Sequence, residues 1–263
     1  MRDDVGAYSA QSAFFVTISF IPFIMMLMGI LKFLPVSQPD MLEHIVSVFP
    51  GGTKGLISSF LAESFEKSGV AVISITAVST LWASSIGIFS VVKGLNRVFG
   101  TAETRNIFVL RIVSIFYTLM IMIMLILCLG IFVFGNTITE LLQNSLPRAF
   151  GIAVIVMSVR KIVGIAVLSA FFLLMYTIIP NRKTKLAIQL PGALISGCGW
   201  VGFSYLFSYY YENIANYSYL YGSLSVMVFF MLWLFVCIYI LFIGAEVNRC
   251  IEERVERMKI FKI

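Results

Sequence analysis

Residues 112–134 read IVSIFYTLMIMIMLILCLGIFVF, an apolar run without a charged side chain. A helix needs about 20 such residues to cross the hydrocarbon core of a bilayer, because each residue adds only ~1.5 Å of length. The strands of a membrane barrel would alternate polar and apolar side chains, and this run does not alternate. The run therefore predicts a transmembrane helix.

The composition of the whole chain agrees with this interpretation. Of the 263 residues, 60% are hydrophobic and 12% are charged, whereas charged residues make up roughly 25% of an ordinary soluble domain. Too few polar side chains are present to cover a water-soluble particle of this size. A soluble globular domain is therefore excluded.

Five further runs are long and apolar enough to cross a bilayer, and none of the six contains Asp, Glu, Lys or Arg. We therefore predict an all-α integral membrane protein, with six transmembrane helices in a single domain. The predicted spans are 9–31, 70–92, 112–134, 162–179, 186–211 and 219–245.

The basic residues predict how these spans are oriented. With a cytoplasmic N-terminus, 13 of the 19 Lys and Arg residues lie on the cytoplasmic side, and such an excess is typical of cytoplasmic loops. Both termini are therefore expected inside, with residues 246–263 as an amphipathic cytoplasmic tail. In the outer loop, MLEHIVSVF (41–49) and GLISSFLAESF (55–65) have the mixed periodicity of short interfacial helices.

The apolar residues 149–159 precede the fourth span. Joining them to that span would place Arg160 and Lys161 inside a helix longer than the bilayer is thick. We interpret the segment as interfacial or re-entrant, with part of helix four as the alternative. Arg160 and Lys161 form a cationic pair on the predicted outer side. The pair would suit an anionic headgroup or solute, or would anchor the chain by snorkelling.

Small and polar side chains share one face of the second span: Thr76, Thr80, Ser84 and Gly87. This face forms either the wet wall of a cavity or a close packing seam whose hydroxyls bond to their own backbone. In the first span, Pro22 removes a backbone donor and is expected to kink the helix beside a serine face that includes Ser19. The kink serves either a binding cavity or helix packing.

Charged and amide side chains follow two spans on the predicted cytoplasmic side. Lys93, Asn96 and Arg97 end the second span, and Glu246 and Asn248 follow the sixth. We expect Glu246 to pair with Arg97 or Lys93 or to stay hydrated, because an unpaired buried carboxylate is costly. The group forms either a structural clamp or part of a gate or ligand site.

Catalytic and metal chemistry has few candidates. The six spans contain neither an acid nor a histidine, and His44 is the single histidine of the chain. The four cysteines include no CxxC pair, so neither a zinc site nor a disulfide framework is indicated. We expect no enzyme activity, no cofactor, no metal and no nucleic-acid partner.

Several strings form an ordered set along nearly the whole chain: ISFIP at 18–22, LWASSIGIFSVVKGLNRVFG at 81–100, IIPNRK at 178–183, PGALISG at 191–197, ANYSYLYGSL at 215–224, LW at 232–233 and GAEVN at 244–248. Together they resemble the YihY family of bacterial membrane proteins, also called the virulence factor BrkB family and once labelled ribonuclease BN. The resemblance implies six spans in the inner membrane, and it adds Ser85, Asn216 and Tyr217 as candidate site residues.

Two hypotheses about function follow from the polar faces, the cationic pair and the lack of a catalytic set. The leading hypothesis is transport or binding of an amphipathic anionic molecule, such as a lipid or a lipid-linked envelope precursor. Membrane lipids would then be the main partners. The alternative is a structural or assembly factor of the cell envelope that transports nothing.

Overall fold

The structure is a computed structural model that describes residues 5–31, 42, 46, 58–59, 61–63, 70–132, 160–182, 184–213 and 223–260. These residues form long α-helices, and no strand occurs in the described part of the chain. The long helices are α1 Val5–Leu31, α2 Val70–Val98, α3 Ile107–Phe132, α4 Arg160–Ile178, α5 Leu186–Asn213 and α6 Ser223–Ile260.

Each long helix coincides with one predicted span, so the all-α class is confirmed. Four segments are long and apolar enough to cross a membrane: Val5–Leu31, Ile107–Ile126, Leu186–Tyr210 and Met227–Val255. Ile162–Ile178 is a shorter apolar helix. Six crossings and the side on which the termini lie stay predictions, and residues 149–159 lie outside the described residues.

Helices α1 and α2 are antiparallel and in close contact. The Ser19 hydroxyl donates to the carbonyl oxygen of Ala83 (3.2 Å) and accepts from the N–H of Gly87 (3.1 Å). A Cβ atom added at Gly87 would lie 2.7 Å from the Cα atom of Val16. The small residue and the hydroxyl therefore allow the two backbones to approach closely.

Helices α5 and α6 meet along a second close seam. A Cβ atom added at Gly192 would overlap the carbonyl oxygen of Gly244, and one added at Gly244 would overlap the Ser196 hydroxyl. The buried Tyr176 hydroxyl of α4 joins this seam, because it donates to the carbonyl oxygen of Leu241 and lies 2.7 Å from the Ser196 hydroxyl. Three helices are thus connected by polar contacts inside an apolar bundle.

Several helix ends and connections meet at one end of the bundle. Arg249 of α6 donates to the carbonyl oxygen of Val98 at the end of α2 (2.7 Å). Arg105, which precedes α3, donates to the carbonyl oxygen of Ile179, which follows α4 (3.1 Å). We call this region, formed by residues 96–106, 179–182, 184–192 and 248–253, the polar end.

The α5–α6 seam generates a test of helix packing. Gly192→Ala should lower the unfolding midpoint in detergent, because overpacking a tight contact costs about 1–3 kcal/mol. Gly202→Ala on the same helix is the matched control, since nothing lies within 4 Å of a Cβ atom there. A thermal melt read by size-exclusion chromatography measures both variants, and equal midpoints would contradict the close seam.

Candidate functional site

The polar end begins with the C-terminus of α2, where the chain reverses at a glycine. Gly100 has φ 65°, a left-handed conformation that glycine adopts without steric cost. The Thr101 N–H donates to the carbonyl oxygen of Asn96 (2.9 Å), and the Gly100 N–H donates to that of Arg97 (3.0 Å). This pair of hydrogen bonds is a Schellman motif, which satisfies helix-end carbonyls. The turn directs residues 101–106 back over the helix end.

Asn96 is the centre of the hydrogen bonds made by this turn. Its side chain is 3% exposed. The amide nitrogen donates to the Glu103 carboxylate, while the amide oxygen accepts from the Asn181 N–H (3.1 Å) and the Thr101 hydroxyl (3.3 Å). One side chain therefore joins the end of α2 to the connection between α4 and α5.

Glu103 and Arg105 form a bidentate ion pair beside Asn96. Arg105 Nε lies 2.8 Å from one carboxylate oxygen, and Nη2 lies 2.8 Å from the other. The Arg105 side chain lowers the pKa of Glu103 below its ordinary value, against partial burial, which raises it. The Glu103 carboxylate likewise raises the pKa of Arg105. Both groups therefore stay charged and held together.

A second ion pair joins the α4–α5 connection to α6. Arg182 Nη1 donates to a carboxylate oxygen of Glu252, and both side chains are largely buried. The Arg182 guanidinium also lies 4.0 Å from the centroid of the Phe99 ring, a cation–π distance. Arg249 pairs with Glu253 one turn apart on α6. The C-terminal part of α6 is thus held against the α4–α5 connection by Glu252 and against the end of α2 by Arg249.

Asn248 lies fully buried against α5, close to Pro191, which lies inside that helix. The Gly192 N–H donates to the Asn248 amide oxygen (2.7 Å), and the Asn248 amide nitrogen donates to the carbonyl oxygen of Gln189 (3.0 Å). Gln189 in turn donates to the Thr184 hydroxyl (2.9 Å). One amide therefore binds a donor and an acceptor of a neighbouring backbone.

The hydroxyls predicted to line a cavity are bonded to backbone in the structure. Ser84 donates to the carbonyl oxygen of Leu81 (3.2 Å), and Ser85 donates to that of Trp82 (2.8 Å). Ser19 bridges α1 and α2, and Pro22 lies within the continuous helix α1. The packing alternative therefore describes Ser19, Ser84 and Ser85 better than a wet wall does.

For the other predicted site residues, either the side chain or the whole residue is outside what the structure describes. Thr76 and Thr80 belong to α2, and Arg160 and Lys161 begin α4, but their side chains are not described. Asn216 and Tyr217 precede α6 and lie outside the described residues.

The structure does not pair Glu246 with Lys93 or Arg97. Glu246 is half-buried and lines an open groove on α6 with residues that include Cys250 and Arg254. Lys93 is exposed, and its Nζ atom lies 4.4 Å from the centroid of the Phe89 ring. The hydrated alternative therefore fits Glu246, and Asn96 and Asn248 are the members of this set that join helices.

Sequence reasoning missed most of the charged members of the polar end. Arg105 and Arg182 were visible in the count of basic residues, Asn181 and Arg182 as part of the string IIPNRK, and Glu103 and Glu252 were not singled out. Among the described residues, no group of three His, Cys, Asp or Glu side chains could hold a metal ion.

The family of the chain is shown by comparison. The family description "Virulence factor BrkB" matches residues 1–260. The chain belongs to the virulence factor BrkB family. The match confirms the resemblance inferred from the ordered strings, and the Asn96 and Asn248 contacts lie in two of those strings.

Relatives of this BrkB-family chain have similar lengths. The ribonuclease-like protein YfkH of Bacillus subtilis (strain 168) is 29% identical over 246 residues, which cover 94% of this chain and 90% of that protein. A UPF0761 membrane protein of Pseudoalteromonas atlantica is 23% identical over 258 residues, which cover 95% of this chain and 82% of that protein. A second UPF0761 membrane protein, of Alteromonas mediterranea, is 25% identical over 271 residues, which cover 98% of this chain and 86% of that protein. No solved structure matches the chain.

The two UPF0761 relatives are named as membrane proteins, and their names specify no reaction. Their names and the apolar helices of this chain indicate a membrane protein.

The contact between Asn248 and α5 predicts a specific loss of stability. Asn248→Ala should lower the unfolding midpoint, because the Gly192 N–H and the Gln189 carbonyl oxygen lose their partner. Each buried group left without a hydrogen bond costs about 1–3 kcal/mol. Cys250→Ala, at an exposed position of the same helix, is the matched control. Thermal unfolding in detergent measures both, and an unchanged midpoint for Asn248→Ala would show that the amide does not hold the helices together.

The Glu103–Arg105 pair predicts a pH dependence. Because the pKa of Glu103 is lowered in the folded state from the ordinary 4.5, its stabilisation is complete above that value and is lost as pH falls through the lowered pKa. Glu103→Gln should therefore remove part of the acid sensitivity of the melting midpoint. Glu253→Gln is the control, since an exposed ion pair contributes little. Identical acid profiles for wild type and Glu103→Gln would contradict this account.

Proposed function

We propose that this BrkB-family protein binds amphipathic anionic molecules, such as lipids or lipid-linked envelope precursors, at the inner membrane. In this proposal the polar end faces the cytoplasm, where anionic headgroups attract basic protein surfaces. The observation that carries the proposal is the distribution of charge at the polar end: its acids are held by arginines within the protein, while other cations are exposed.

The ion pairs account for the acids of the polar end. Glu103 binds Arg105, and Glu252 binds Arg182. Glu253 is also paired, with Arg249 one turn away. These carboxylates contribute little net negative charge to the surface, because each has a cation within hydrogen-bond distance.

The exposed cations lie on the same side of the bundle. Lys93 and Arg97 are exposed near the end of α2, and Lys185 is exposed at the start of α5. Each cation near an anionic bilayer surface contributes about 1 kcal/mol of attraction. Together they favour contact with acidic headgroups over zwitterionic ones.

Movement of the bound molecule across the membrane is the wider form of the proposal. The contacts of Ser84, Ser85 and Gly87 do not favour a water-filled path along this face of α2. The two hydroxyls bond to their own helix, and Gly87 contacts α1. Transport would therefore use another route.

A structural or assembly role in the envelope is the second candidate. The close α5–α6 seam and the Asn248 contact favour it, since they hold α5 against α6, and the Tyr176 hydroxyl of α4 bonds to the same seam. A scaffold of this kind would need no preference for anionic lipid. Ribonuclease chemistry is not proposed, because within the described part of the chain no three His, Cys, Asp or Glu side chains lie close enough to hold a metal ion.

The lipid that co-purifies with the protein tests the proposal. Solubilised wild type should carry a higher ratio of phosphatidylglycerol to phosphatidylethanolamine than the membrane it came from. Arg97→Gln with Lys185→Gln should lower that enrichment several-fold, because about 1 kcal/mol of attraction is lost per cation. Lipid mass spectrometry of the purified protein measures the ratio.

A matching ratio in wild type and bulk membrane would contradict the proposal and favour the scaffold. Reconstituted vesicles then test transport separately. Equal translocation of headgroup-labelled lipid with and without protein would contradict movement and leave binding as the function.

A further inference from the structure

Arg111 is a cation within the apolar helix α3, one turn after its start at Ile107. Its neighbours on the helix surface are large and exposed: Phe108 is 70% exposed and Ile112 is 65% exposed. Apolar side chains with this exposure on a membrane helix face lipid. A guanidinium among them is costly unless it finds an anion or reaches the interface.

Two aromatic rings of α2 hold the Arg111 guanidinium. Its central carbon lies 4.5 Å from the centroid of the Trp82 ring and 5.7 Å from that of Phe89. Lys93 also contacts Phe89, at 4.4 Å from its centroid. The α2–α3 surface therefore presents two cations, Arg111 and Lys93, that share contact with the Phe89 ring.

The hydrogen bonds of Arg111 are not completed by the protein. Its Nε atom is buried and has no hydrogen-bond partner, and within the described residues no carboxylate pairs with the guanidinium. Ring contact satisfies the charge only in part, since cation–π attraction supplies no hydrogen-bond acceptor. Arg105, Arg182 and Arg249 differ from Arg111 in that each binds a glutamate, while Nε and Nη2 of Arg182 are, like Nε of Arg111, buried without a hydrogen-bond partner.

We propose that the Arg111 site, formed by Trp82, Phe89, Lys93 and Arg111, binds the phosphate of an anionic phospholipid. The inference rests on the proposed function and assigns it a location. A phosphate supplies the guanidinium with the charged acceptor that no carboxylate of the described residues supplies, and a second cation favours a headgroup with net negative charge over a zwitterionic one.

The surroundings favour a lipid as the source of that phosphate. An exposed apolar stripe continues along α3 from the Arg111 site, through Ile112, Phe116 and Ile123, which are 65%, 56% and 59% exposed. Acyl chains attached to a phosphate at Arg111 would lie along this stripe. The half-exposed Trp82 ring (45%) would contact the bound lipid directly.

Trp82 provides a reporter for this site. The chain has three tryptophans, so Trp200→Phe with Trp233→Phe leaves Trp82 as the single emitter. This full-length protein is placed in nanodiscs containing phosphatidylcholine and phosphatidylglycerol at equal mole fractions. Bromine atoms, which quench tryptophan on contact, are attached to the acyl chains of one lipid or the other.

We expect stronger quenching of Trp82 by brominated phosphatidylglycerol than by brominated phosphatidylcholine. Arg111→Gln should reduce this preference about fivefold, because the substitution removes the attraction that one cation contributes near an anionic membrane surface. Arg257→Gln, which removes the same charge from α6, is the matched control and should leave the preference unchanged. Arg111→Lys should keep part of the preference, because the charge remains while the planar fork is lost.

Equal quenching by the two lipids in the tryptophan background would overturn the site, even where wild type co-purifies with phosphatidylglycerol. A preference that survives Arg111→Gln would overturn it as well. If Arg111→Gln does not fold, Arg111→Lys takes its place. Equal quenching by the two lipids, both in Arg111→Lys and in the protein with Trp82 as its single tryptophan, would then overturn the site. Absence of lipid enrichment in wild type is the separate failure of the proposed function.

Discussion

The contact between the Asn248 amide and the backbone of α5, beside Pro191, is the constraint on which the polar end depends. Hydrocarbon offers no partner for a backbone donor or acceptor that is left open, and proline has no N–H to contribute to the helix. The Asn248 amide binds the Gly192 N–H and the Gln189 carbonyl oxygen. The position of α6 against α5 is thereby fixed at the point where α6 leaves the apolar bundle.

The charged contacts follow from that position. With Asn248 held against α5, the next turn of α6 places Arg249 at the carbonyl oxygen of Val98 and Glu252 beside Arg182. The close approach itself requires Gly192 and Gly244, because a side chain at either would overlap the other helix. Glycine contact, amide bridge and ion pair therefore form one sequence of dependencies along α6, so the polar end is expected to lose stability as a unit.

The sequence predicted the helices well because their signal is local. The length of an apolar run determines approximately where a membrane helix begins and ends. Accordingly, α1 and α5 begin and end within a few residues of the predicted spans. The partners of the charges were not predictable in this way. Glu103 meets Asn96 only because Gly100 reverses the chain, and the expected partnership of Glu246 with α2 does not form, since the α6 face that meets α5 and α2 carries Asn248 and Arg249 instead.

Arg111 directly precedes the predicted third span, and for this reason the sequence did not single it out as a site residue. An apolar run ends at its first charge, so the predicted third span began at residue 112 and Arg111 was counted with the loop. In the structure α3 starts earlier, at Ile107, and the guanidinium lies against the α2 rings, not in the connection. Arg105, Arg182 and Arg249 of the polar end have carboxylate partners within the chain, whereas no carboxylate of the described residues pairs with Arg111, which lies among exposed apolar side chains. A charge in that setting gains most from an anion that the membrane itself supplies.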